Sequence, residues 1–285
     1  MRRHFIFYLA LLLILSCTER KQKTSTSASA VTVFWDKYDF TDSIAIVQPE
    51  VGEQALVDFL AIAQQSDYKE SVAAIKKMLE RAVSSPTVLK FFIDSYDRYL
   101  YDPNSPMYNE ALYVPVLEFA AQEANFPNYE RQRFQDRLNL IKRNNPGNKA
   151  TNFSFKTVAG NETNLYSQEG QYLLLFFYEP GCAGCAAAIE DLQRLKEVQE
   201  WISQGNLHII TLYAGVDPVL WKEYQQFIPS TWVNGINADR SILEHNLYDL
   251  KATPTFYLLD EQKEVLLKDR PLAEVVNYLD RSIEH

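Results

Sequence analysis

The stretch Tyr172-Leu173-Leu174-Leu175-Phe176-Phe177-Tyr178, followed by Glu179-Pro180-Gly181-Cys182-Ala183-Gly184-Cys185, decides how the second half of this chain is read. An unbroken apolar and aromatic run without alternation is the pattern of a central strand buried on both faces. Pro180-Gly181 ends it. Beyond the turn, Ile189, Leu192, Leu195 and Val198 recur at helical spacing, which predicts one helix over 182–201. Two cysteines separated by two small residues therefore stand on the first turn of a helix that follows a central strand. There the first thiol lies near unpaired backbone N–H groups and the positive end of the helix dipole, which favour thiolate over thiol. Cys182 is the candidate nucleophile. Cys185, one turn in and more shielded, is placed to attack a mixed disulfide and release the product.

Outward from this stretch, the chain alternates strands and helices. Residues 152–158 and 163–166 flank the turn Ala159-Gly160-Asn161, and Leu207 to Tyr213 is another apolar strand. Asp217 to Phe227 reads as helical. Thr255–Leu259 and Glu264–Leu267 form a hairpin around Asp260-Glu261-Gln262-Lys263, and Leu272, Val275, Val276 and Leu279 mark a last amphipathic helix. Just ahead of the hairpin stands Ala252-Thr253-Pro254-Thr255.

Before residue 147 the pattern is helical throughout. Five amphipathic stretches carry Ala55, Leu56, Phe59 and Ile62; then Val72, Ile75, Met78, Leu79 and Ala82; then Leu89, Phe92, Ile93, Tyr96 and Leu100; then Leu112, Val116, Leu117 and Ala120; and last Phe134, Leu138 and Ile141. Ser85-Pro86 is a start signal for the third and Asn128 a candidate cap for the fifth, whereas Pro115 should kink the fourth or delay its start. Asn144-Asn145-Pro146-Gly147-Asn148 closes the region. These stretches predict one all-α domain over 31–146.

At the N-terminus, Arg2-Arg3 precede an apolar run from Phe5 to Leu15. That run is too short for a hydrocarbon core of about 30 Å at about 1.5 Å per helical residue. A basic start, a short apolar stretch and a small residue describe an export signal over 1–16. Ile14-Leu15-Ser16-Cys17 resembles the lipobox of bacterial lipoproteins, which implies cleavage before Cys17 and a diacylglycerol on its sulfur. Residues 17–30 then form a lipidated cysteine and a flexible tether, polar and small up to Ala30. Lipid on Cys17 would hold the chain at the membrane of a Gram-negative-type cell envelope, facing the periplasm or the cell surface.

With its Cys-x-x-Cys after a strand and Thr253-Pro254 downstream, the segment 147–285 resembles a thioredoxin-fold domain of the TlpA-like type. The resemblance implies an α/β domain with a central mixed sheet, a cis-proline at Pro254 abutting the cysteine pair, and Thr253 offering backbone hydrogen bonds to a substrate chain. It implies thiol–disulfide exchange, more in the reducing than the oxidising direction, with protein thiols or disulfides as partners, a separate electron donor and no cofactor. Two departures stand out. Many members carry Trp immediately before the first cysteine, where this chain has Gly181, and many thioredoxins bury an Asp at the place of Phe176. Glu179 is then the nearest carboxylate in sequence and the candidate proton acceptor. The helical region resembles an N-terminal domain of unknown function that precedes thioredoxin-like domains in lipoproteins, the shared segment being Tyr99-Leu100-Tyr101-Asp102-Pro103-Asn104-Ser105-Pro106.

Other classes fit less well. With 28 Lys and Arg against 37 Asp and Glu, a net charge of −9 repels phosphate backbones, which argues against nucleic acid as a partner. His208 and His245 are isolated and lack ligand spacing with the two thiols, so no metal is expected. Peroxidatic cysteines usually have Thr or Ser three residues earlier, where Glu179 stands here. Two alternatives stay open: a permanent structural disulfide, and a non-enzymatic lipoprotein whose helical domain binds a partner while the thioredoxin fold serves as scaffold.

Overall fold

The computed structural model describes residues 29–283. Cys17, the signal segment and the tether up to residue 28 lie outside the described residues.

The first half is helical. The short helices α1 (Ala30–Val33) and α2 (Ser43–Ile46) and a π-helical turn at Pro49–Glu53 lead into α3 (Gln54–Ala63), α4 (Tyr68–Ala82), α5 (Pro86–Leu100), α6 (Glu110–Ala120) and α7 (Asn128–Lys142). The caps follow from the sequence. Asp67 accepts from the amides of Lys69 and Glu70 at the start of α4, Ser85 accepts from Val88 at α5, and Asn109 accepts from Leu112 at α6. Pro115 neither delays nor breaks α6 but lies inside it. The carbonyl it leaves without an intrahelical donor is that of Ala111, and the Tyr68 hydroxyl lies 3.4 Å away and donates to it. Asn128 is not a cap: Pro127 holds that position, and the Asn128 side chain accepts from Arg131. The apolar faces of these helices meet in one core around Trp35, Phe59, Phe92 and Tyr96, each at most 1% exposed.

The second half contains β1 (Ser154–Thr157), β2 (Glu162–Asn164), β3 (Tyr172–Tyr178), α8 (Ala183–Arg194), α9 (Lys196–Ser203), β4 (Leu207–Tyr213), α10 (Pro218–Tyr224), β5 (Val233–Ile236), α11 (Ser241–Glu244), β6 (Thr255–Asp260), β7 (Val265–Lys268) and α12 (Leu272–Ile283). The strands form one mixed sheet in the order β2-β1-β5-β4-β3-β6-β7. β3 runs parallel to β4 and antiparallel to β6, so both of its edges are paired. Leu174, Phe176 and Tyr178 face one core with Ile189, Val198 and Leu279, whereas Leu173, Leu175 and Phe177 face the other with Ile242 and Tyr248. Burial on both faces is why β3 shows no polar alternation.

In this half the structure departs from the sequence reading in two further places. The helix expected over 182–201 is two helices, because Leu195 adopts an extended conformation (φ −70°, ψ 113°). The break frees the Leu192 carbonyl, and the Gln199 side-chain amide donates to it at 2.8 Å. β5 was not expected: Val233-Asn234-Gly235-Ile236 is short and unpatterned, and it becomes a strand because β4 and β1 offer it partners on both sides.

Candidate active site

β3 delivers the chain to the end of the sheet at Tyr178, and the next residues must turn sharply into α8. Gly181 makes that turn at φ +82°, a conformation costly for any residue with a Cβ. A tryptophan in this conformation would be strained. Cys182 is the N-cap of α8, and its Sγ accepts from the Cys185 amide at 3.1 Å. Such an amide, at the positive end of the helix, stabilises negative charge on that sulfur. Cys182 and Cys185 form a disulfide with their Cα atoms 5.2 Å apart. Cys182 is half-buried, and Cys185 is fully buried.

The loop before β6 brings Thr253 and Pro254 to the same place. The Thr253–Pro254 peptide is cis, and the Thr253 carbonyl lies 3.5 Å from Cys182 Sγ, where it would accept from the thiol of a reduced pair. Gly184 permits this approach, since a Cβ added there would lie 3.3 Å from Pro254 Cδ. The sequence elements 182–185 and 253–254, far apart in the chain, thus become one surface.

Below this surface the surroundings are apolar. Phe176 is fully buried and packs on Phe256 with ring centroids 4.8 Å apart, in the same core as Cys185. Glu179 is exposed, and no hydrogen bond links its carboxylate to either sulfur among the described residues. Desolvation raises its pKa above the ordinary carboxylate value, against the opposing effect of a hydrogen bond from Tyr213. His208 and His245 are both exposed, and no group of three or more potential metal ligands occurs among the described residues.

Two features were invisible in the sequence. On one side of Cys182, an open groove of about 630 Å³ runs between the alanine face of α8 (Ala183, Ala186, Ala187) and Tyr224 and Phe227. α10 is held there by Trp221, whose indole N–H donates to Asn234 Oδ1 together with the hydroxyls of Tyr178 and Thr211. On the other side, Lys251 anchors the proline loop to the helical domain. Its Nζ lies 2.6 Å from Glu110, 2.8 Å from Asp249 and 3.5 Å from Asp269, and its side chain is 5% exposed. Tyr101 and Tyr108 place their rings around the same ammonium. Lys268 completes the cluster with a 3.0 Å ion pair to Glu110. Burial pushes the Glu110 carboxyl up, but Lys268 and Lys251 outweigh it and leave its pKa below the usual value. For Asp269 burial prevails, and its pKa is raised. Of its members, only Tyr101 lies in the segment from Tyr99 to Pro106.

A mixed sheet, a helix-start Cys-x-x-Cys and a cis-proline against it together define the thioredoxin-like class. Residues 146–267 match the AhpC/TSA family, and residues 18–144 match a domain of unknown function, DUF5106. A thioredoxin-like protein from Bacteroides caccae is 34% identical over 98% of this chain and 100% of its own, with a TM-score of 0.83. The C-terminal domain of an uncharacterized protein from Bacteroides fragilis is 37% identical, covering 48% of this chain and 98% of its own at a TM-score of 0.47. The thioredoxin domain of a thiol-disulfide oxidoreductase from Bacteroides vulgatus is 20% identical, covering 48% of this chain and 96% of its own at a TM-score of 0.42. No curated protein matches the chain. The chain belongs to the thioredoxin-like proteins, with an AhpC/TSA thioredoxin-like domain behind a DUF5106 domain.

Proposed function

We propose that this protein is an exported, membrane-anchored thiol–disulfide oxidoreductase that reduces protein disulfides through Cys182 and Cys185. The observation that carries the reading is the asymmetry of the pair: Cys182 Sγ accepts a helix-start amide beside Thr253–Pro254, while Cys185 is buried behind it. In the reduced protein, the Cys182 thiolate attacks one sulfur of a substrate disulfide, forming a mixed disulfide and releasing the other substrate sulfur as thiolate. Cys185, deprotonated, then attacks Cys182 Sγ, closing the internal disulfide and releasing the second substrate thiolate. Two electrons pass from the protein to the substrate, and the two protons of the pair end on the substrate thiols by way of water. The apolar floor under Cys185 leaves water and Glu179 to take the proton of the second thiol. A dithiol donor outside this chain returns the pair to the reduced state.

Thr253 and Pro254 bind the substrate chain beside the reacting sulfur. Lipid on Cys17 supplies the membrane attachment, and Cys17→Ser should move the protein from the membrane fraction to the soluble fraction. The deciding experiment is the reduction potential of the pair, measured by equilibration in defined thiol buffers. A reversible transition near the roughly −270 mV of thioredoxin is expected, and a value near the roughly −120 mV of a strong oxidant would reverse the direction. A pair that stays oxidised throughout, with Cys182→Ser changing no turnover, would sink the enzymatic reading.

A further inference from the structure

The cleft on the Pro254 side of the disulfide has walls from both domains. It encloses about 430 Å³, with Gly184, Ala252 and Pro254 on one wall and Pro103, Asn104 and Tyr108 on the other. The second wall belongs to the connection between α5 and α6, which is held by its own hydrogen bonds. Asp102 accepts from the Asn104 amide at 2.8 Å, Ser105 Oγ donates to the Tyr99 carbonyl at 2.7 Å, and the Asn109 amide donates to the Leu100 carbonyl at 3.0 Å. The spacing of the two walls is set from below by Lys251. This residue stands two positions before Thr253 and is gripped by Glu110 and the hydroxyl of Tyr108 at 2.6 and 3.2 Å. Pro103 and Asn104 are themselves exposed at the rim, and the Asn104 side-chain amide donates to Asp102 at 3.2 Å.

We infer that this cleft is a substrate subsite shared by the two domains, in which the Pro103–Asn104 rim reads the polypeptide that flanks the cysteine attacked by Cys182. The inference rests on the redox reading above and adds its specificity. The occupant is an extended polypeptide segment. The cleft begins at Pro254, and the carbonyl of the adjoining Thr253 lies 3.5 Å from Cys182 Sγ, so a chain bonded to that sulfur can run on into it. Its walls are mainly apolar, and of its charged residues Asp269 is paired with Lys251 while Asp191 and Arg270 are of opposite sign, which suits a main chain with small side chains better than a charged small molecule. A small disulfide needs only Cys182 and ignores the rim. The helical domain thereby becomes the part that selects the substrate, with Lys251 and Glu110 as positioning residues.

The test uses the mature two-domain chain, reduced, with two probes: a disulfide-linked dimer of an extended cysteine peptide, and bis(2-hydroxyethyl) disulfide. Asn104→Trp narrows the cleft, and the ratio of kcat/KM for the peptide dimer to that for the small disulfide should fall about tenfold, mainly through KM. Should that variant lose its cooperative melting, Pro103→Ala with Asn104→Ala removes the rim instead, and the ratio should fall about threefold. An unchanged ratio in the folded variants overturns the shared subsite while leaving the oxidoreductase standing. Failure of the unaltered chain to turn over either disulfide overturns both.

Discussion

Two buried places lie close together around the disulfide and are opposite in kind. Under Cys185 the floor is aromatic, with Phe176 on Phe256. Beneath the Thr253–Pro254 loop, the seam between the domains buries Glu110, Asp249, Asp269, Lys251 and Lys268, each with a side chain at most 18% exposed. The floor holds its residues by close packing, which is insensitive to pH but sensitive to any void. The seam holds by ion pairs whose worth depends on every partner being present. An apolar floor gives the second thiol no proton acceptor, whereas an ionic seam fixes a loop in one register. The contrast sets packing on one side of the disulfide against charge pairing on the other.

The strongest way to break this contrast is to remove one member from each place. Lys251→Met leaves three carboxylates facing one another with a single lysine and should cost about 3–5 kcal/mol of stability. Phe176→Ala should cost a similar amount, about 3–5 kcal/mol, through the cavity it opens. Urea melts at several pH values separate the two. The Lys251→Met loss should shrink as the carboxylates protonate, while the Phe176→Ala loss should stay constant; parallel behaviour would refute the distinction. A smaller effect is expected at the turn between them, where Gly181→Ala forces a Cβ into a left-handed conformation at about 1–2 kcal/mol. An equilibrium melt within error of the unaltered protein would show that the turn relaxes instead.

Smaller still is the effect at Glu179. Since its pKa is raised, it becomes a base only as pH rises through that value. Glu179→Gln should therefore lower the resolving step about threefold above this pH and leave it unaltered below, in rapid-quench measurements of the mixed disulfide. A pH-independent loss would remove it as proton acceptor.

The smallest expected change concerns the balance inside the seam. Glu110, with its pKa lowered by Lys268 and Lys251 against burial, contributes stability at neutral pH that is lost as pH falls through its folded-state pKa. Asp269, with its pKa raised chiefly by burial, works the other way: its contribution is present at acid pH and lost as pH rises through its folded-state pKa. Asp269→Asn should make stability fall more steeply on acidification, by less than about 1 kcal/mol over the carboxylate range. An unchanged slope of melting temperature against pH would show that Asp269 does not offset Glu110.

Much of this architecture was legible from local patterns. Ser85-Pro86 opens α5, and the run from Tyr172 to Tyr178 is β3 from end to end, because capping, proline geometry and two-sided burial leave marks in neighbouring residues. The placement of Cys182 and Cys185 at a helix start followed from the same marks. What escaped was decided by partners distant in sequence. Leu195 breaks a helix that its periodicity would continue, and Val233-Asn234-Gly235-Ile236 is a strand only because two others flank it. Pro115 sits within a helix because Tyr68 supplies a hydrogen bond to the freed carbonyl.

By itself, then, the order of residues determined two domains, one helical and one α/β, and a cysteine pair at the end of a central strand. Tertiary structure alone decided that Leu195 would end the helix begun at the pair, that Val233–Ile236 would join the sheet, and that Lys251 would tie the proline loop to Glu110, 141 residues away. The physical reason is range. Periodicity, caps and turns act over one or two turns of chain, whereas burial and ion pairing are settled only when remote segments share one dry volume.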